Sequence, residues 1–163
     1  MMEIGRNASG DLELREIDVS LAGLLLSVPD ATDPGDSDPA LSRLFPDPAP
    51  QADADLAENW EEFVRPDLRH LFEQAVDTVR RDLAAMKSPT ARAGGHLKIP
   101  APHFDAWLNT LNQARLALFA RHGFTEADME RPLPAAVSSP ADLALIQIHL
   151  YGLIQEFLIR ASD

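Results

Sequence analysis

The sequence predicts a mostly α fold, a single-domain helical bundle of about four principal helices carrying a short two-stranded antiparallel β-ribbon. Three observations carry that prediction. Apolar residues recur at three- and four-residue spacing through several long stretches. Two short segments instead alternate apolar and charged residues. A chain of 163 residues with 45% hydrophobic content is long enough for one core, which buries roughly two thirds of the surface an unfolded chain exposes.

The elements follow in chain order. Residues 1–9 read as a flexible N-terminus. "DLELRE" at 11–16 alternates so that Leu12 and Leu14 face inward, and "HLKIP" at 96–100 repeats the pattern with Leu97 and Ile99. Two strands this short are marginal alone, so they should pair with each other in front of a helix. "DVSLAGLLLSVP" is a helix with Asp18 as N-cap and Pro29 closing it. Residues 29–55 hold six of the thirteen prolines and seven aspartates, which makes them an acidic connection. Within it "DPALSRLF" forms a short helix with Asp38 at the N-cap and Pro39 at the first position, pinned by Leu41, Leu44 and Phe45.

A long helix is predicted from Leu56 to Met86, kinked near Pro66, with Val64, Leu68, Leu71, Phe72, Ala75, Val76, Val79, Leu83 and Met86 inward. "KSPTARAGG" ends it. Pro102 opens the next helix, and Gly123 closes it after His122. "TEAD" at 125–128 is a capping box with Asp128 where Glu or Gln is usual, and it starts a short helix. The last helix takes Ser139 as cap and Pro140 at its first position. It runs to about Ala161 with Leu143, Ile146, Leu150, Leu153, Ile154, Phe157 and Ala161 inward.

Composition narrows the function. The chain has no cysteine, which removes disulfides, thiol nucleophiles and thiolate metal sites. The net charge of -12 is lopsided: residues 1–60 hold thirteen acids against three bases, whereas 61–163 hold thirteen against eleven. Such a surface repels nucleic acid and anionic membranes; the leading reading of the acidic half is a solvated loop that keeps the chain soluble, and any partner it meets should be basic. The N-terminus carries early charges and reads as no secretory signal, and apolar runs such as "LAGLLL" at 21–26 fall short of a membrane span. The expectation is a cytoplasmic protein.

The candidate polar site is Arg115, which falls within the apolar face set by Phe104, Leu108, Leu111 and Leu118, with Asn112 on its border. A guanidinium inside that face needs a carboxylate or carbonyl partner, because an unpaired buried charge costs several kcal/mol. A clamp between helices is the leading reading; a contact for a small anionic ligand, in a binder or an enzyme with an inter-helix pocket, is the alternative. Trp60 and Trp107 are candidates for a groove or for the core. The five histidines lie on separate segments with no i, i+4 pair, so no metal and no cofactor is expected. Gly94 and Gly95 lack any phosphate-binding context. No catalytic constellation is visible.

"DPALSRLFPD" at 38–47, "AWLNTLNQARLAL" at 106–118 with "HGFTEAD" at 122–128, and "LYGLIQEFLIRA" at 150–161 resemble, in this order, the bacterial family catalogued as domain of unknown function twenty-seventeen. The Pro-rich stretch after Phe45 and Pro66 depart from its pattern. The resemblance implies no catalytic residue. It implies genes beside that of the Clp-protease adaptor ClpS, hence an interaction module linked to Clp-dependent proteolysis, with a Clp adaptor or protease component as partner. Asn112 and Arg115 match the polar pair of the family's "LN..RL" helix.

Overall fold

A computed structural model describes residues 2–33 and 65–162. The acidic connection from Pro34 on, its short helix, Trp60 and the first part of the long helix lie outside the described residues. Among the described residues are β1 (Glu3–Arg6), β2 (Leu12–Ile17), α1 (Val19–Leu26), α2 (Val28–Ala31), α3 (Arg65–Ala84), β3 (Gly95–Ile99), α4 (Phe104–Arg121), α5 (Glu126–Glu130) and α6 (Pro140–Ala161). A 3-10 turn, Ala101–His103, leads into α4. The protein is mostly helical, and its sheet is antiparallel.

The sheet has three strands in the order β1-β2-β3, one more than the ribbon expected. The extra strand is β1, in a stretch expected to be flexible; Glu3 pairs with Arg15 and Arg6 with Leu12. Its signal was in the turn that follows. The Asn7 side chain accepts hydrogen bonds from the Ser9 and Asp11 amides at 2.9 and 3.0 Å, and Gly10 takes a φ of 89°. Asn and Gly suit such turns because one bonds its own backbone and the other has no Cβ to clash.

The β2–β3 pairing follows the alternation in the sequence: Leu12 faces Ile99 and Leu14 faces Leu97, all essentially inaccessible. The pairing then slips between Leu14 and Ile17, where Glu16 adopts a φ of 54° and Ile17 comes opposite Gly95. This bulge explains Gly94, and the Lys87–Pro89 segment that passes beside the strand explains Gly95. A Cβ on Gly94 would lie 2.6 Å from Glu16 Cα, and one on Gly95 would lie 2.8 Å from the Lys87 carbonyl oxygen. Backbone passes backbone there, and no side chain fits.

The helix termini form for local reasons. The Asp18 carboxylate accepts from the Leu21 amide at 2.8 Å, and Ser139 accepts from the Asp142 amide at 3.1 Å. Thr125 and Asp128 complete a capping box despite the shorter acid. Pro29 does not simply end α1. It lies in the first turn of α2, where its missing N–H would have had no partner. Gly123 follows α4 with a φ of 62°, the left-handed residue that ends the helix.

One core joins the inner face of the sheet to α1, α2, α3, α4 and α6. α4 is central, lying against α3, α6 and α2. Most of the inward positions expected on α3 are inside, but Leu71 is 59% exposed.

α6 differs more. Ile154 and Ala161 are buried as expected, while Leu143 and Leu153 are 39% and 43% exposed and Ile146, Leu150 and Phe157 are half-buried. Ala144, Gln147, Ile148, Tyr151 and Leu158 take the inner face instead. By length and composition α6 is long and apolar enough to cross a membrane, which a count of unbroken apolar runs overlooks. Here its inner face packs on α4.

The inner face of α6 is fixed by polar bonds. The Tyr151 hydroxyl donates to the Leu24 carbonyl at 2.9 Å and lies 2.8 Å from Ser27 Oγ, to which Gln147 Nε2 donates at 3.0 Å. The end of α1 is thereby tied to the middle of α6. Burial pushes the Tyr151 phenol above its usual range, opposed by hydrogen bonds from Ser27 and Gln147.

Two outcomes follow. Gly94→Ala should destabilise the protein by about 2 kcal/mol or more, because the strand and bulge backbones must separate, and denaturant unfolding reads it. The chain has a single tyrosine, so tyrosinate absorbance reports Tyr151 alone. It should titrate at higher pH in the native protein than in denaturant. A folded pKa raised above the unfolded value means that Tyr151's contribution to stability is complete below about pH 10 and is lost as pH rises through the folded pKa. Tyr151→Phe should remove that alkaline component.

Candidate functional site

Asp82 is the polar residue the periodicity should have revealed. It falls on the face of α3 that carries Ala75, Val79, Leu83 and Met86, and it is buried at 9% exposure. Such a carboxylate needs donors. Two come from the entry to α4: Trp107 Nε1 donates to Asp82 Oδ2 at 2.8 Å, and Nδ1 of His103, the last residue of the 3-10 turn, lies 2.8 and 3.0 Å from the two carboxylate oxygens. His103 and Trp107 are four residues apart, which puts both on one side of the helical entry. The His103 side chain stays partly exposed. Trp107 is fully buried, with its indole in the core. Trp60, the other groove candidate, lies outside the described residues.

Arg115 is half-buried on α4, facing α6. Its partner is neither a carboxylate nor a backbone carbonyl but a side-chain amide: Nη1 donates to Gln155 Oε1 at 2.7 Å, and Gln155 Nε2 donates on to the Leu108 carbonyl at 3.2 Å. Gly152 makes room for the guanidinium, since a Cβ there would lie 3.3 Å from Arg115 Cζ. Burial lowers the Arg115 pKa from its ordinary value. Among the described residues its Nε has no hydrogen-bond partner, and neither has the buried His149 Nε2. Asn112 is exposed and does not share this network.

Few other groups gather. Among the described residues no three His, Asp or Glu side chains come together as a cation site. A shallow groove of about 430 Å³ opens beside Arg6, Ser9, Phe104, Asp105 and Ser162, away from Arg115. Glu13, Arg15 and His96 form ion pairs on the sheet at 3.1 and 3.3 Å.

The feature that stands apart is apolar. Leu143, Ile146, Leu150, Leu153 and Phe157 follow one another at alternating three- and four-residue intervals, the a and d positions of two heptads. They form a stripe of about 21 Å along α6, from fourteen helical rises. Scattered exposed leucines need no explanation, but an aligned row does.

Polar pins between helices and a partly exposed apolar row along α6 mark a mostly helical protein. The chain matches the family described as Domain of unknown function (DUF2017) over residues 6–162, and it belongs to that family. No curated protein and no solved structure matches it.

The two buried polar groups should behave differently on removal. Asp82→Ala leaves the His103 and Trp107 donors without their acceptor and should cost about 2–4 kcal/mol, a fall in Tm of about 6–12 °C. Arg115→Met leaves one neutral amide oxygen unpaired while relieving a desolvated cation. It should change stability by less than about 1 kcal/mol, so calorimetry of the pair separates the stronger fastener from the weaker.

Proposed function

We propose that this chain is a cytoplasmic, non-enzymatic protein-interaction module, a single-domain helical bundle that docks a partner through the open apolar stripe of α6. The observation that supports the reading is that α6 leaves Leu143 and Leu153 exposed, with Ile146, Leu150 and Phe157 only partly buried in the same row, while burying Gln147 and Tyr151. A helix oriented by burial alone would do the reverse. The outer side of α1 adds Val19 and Leu26, 77% and 50% exposed.

The anionic-ligand alternative has in its favour the buried Arg115 Nε, which has no hydrogen-bond partner among the described residues. It carries less weight, because the guanidinium already holds Gln155 and packs against Gly152, and the adjacent Asn112 is exposed. The family resemblance makes a Clp adaptor or protease component the first partner to test.

Leu153→Glu tests the docking face, since its exposure lets a charge be tolerated by the isolated fold. Wild-type protein immobilised in source-cell lysate should retain a Clp adaptor or protease component that the variant loses. Identical retention by both, or none by the wild type, would overturn the reading.

A further inference from the structure

We draw no further inference here: the strongest candidate, the shallow groove where the β1–β2 turn, the start of α4 and the end of α6 meet, is lined by Arg6 and Asp105 as exposed surface charges, and nothing in the structure points to a ligand that would occupy it.

Discussion

The end of α3 and the beginning of α4 meet around the carboxylate of Asp82, and the remaining helices take their positions from that junction. A buried acid is expensive without donors, and this one receives them from an imidazole and an indole a single helical turn apart. Because one donor ends the 3-10 turn that leads into α4 and the other lies in the first turn of α4, the bonds fix where that helix enters and which side it turns towards α3. α4 then serves α6 and α2 with its other sides. Each of those contacts assumes the rotation that Asp82 sets. Arg115, further along the same helix, adds a weaker restraint through a neutral amide.

The second constraint is a polar line on a buried face. Gln147, Tyr151 and Gln155 recur every four residues along α6, and each bonds to another helix: the first two to the end of α1, the third to Arg115 and the Leu108 carbonyl. Burying three such groups is tolerable because each has a matched partner. The bonds are directional, whereas apolar burial is not. They therefore decide which of two apolar sides of α6 turns inward. Small Ala144 and long Ile148, Ile154 and Leu158 fill the space around the polar line, and Leu143 and Leu153 are left exposed.

Much of this was legible in the residues, and the failures have physical causes. Local signals transferred well: the Asp18 and Ser139 caps, the Thr125–Asp128 box, and the alternation that set Leu12 and Leu14 against Ile99 and Leu97. Each depends on neighbours in sequence or on a strict period of two. β1 was missed because "EIGR" has little alternation and its case rested on the Asn7–Gly10 turn. Asp82 could have been found, since it lies inside the apolar face of its own helix. The orientation of α6 could not. Its apolar residues extend around more than half the helix, and the choice between sides depended on a carbonyl and a hydroxyl over a hundred positions earlier. Arg115 was placed on the correct side of α4, but its amide partner comes from a helix whose rotation the periodicity had misjudged.

An open apolar stripe on a strongly acidic chain combines forces of different range. Charge repulsion between copies, or between the chain and any acidic surface, acts out to about 8 Å at physiological salt. Apolar contact acts only when surfaces meet and water is expelled. Repulsion therefore acts before apolar contact does, and only a surface brought close gains that contact. The polar bonds that hold α6 in its rotation fix which of its apolar side chains stay exposed.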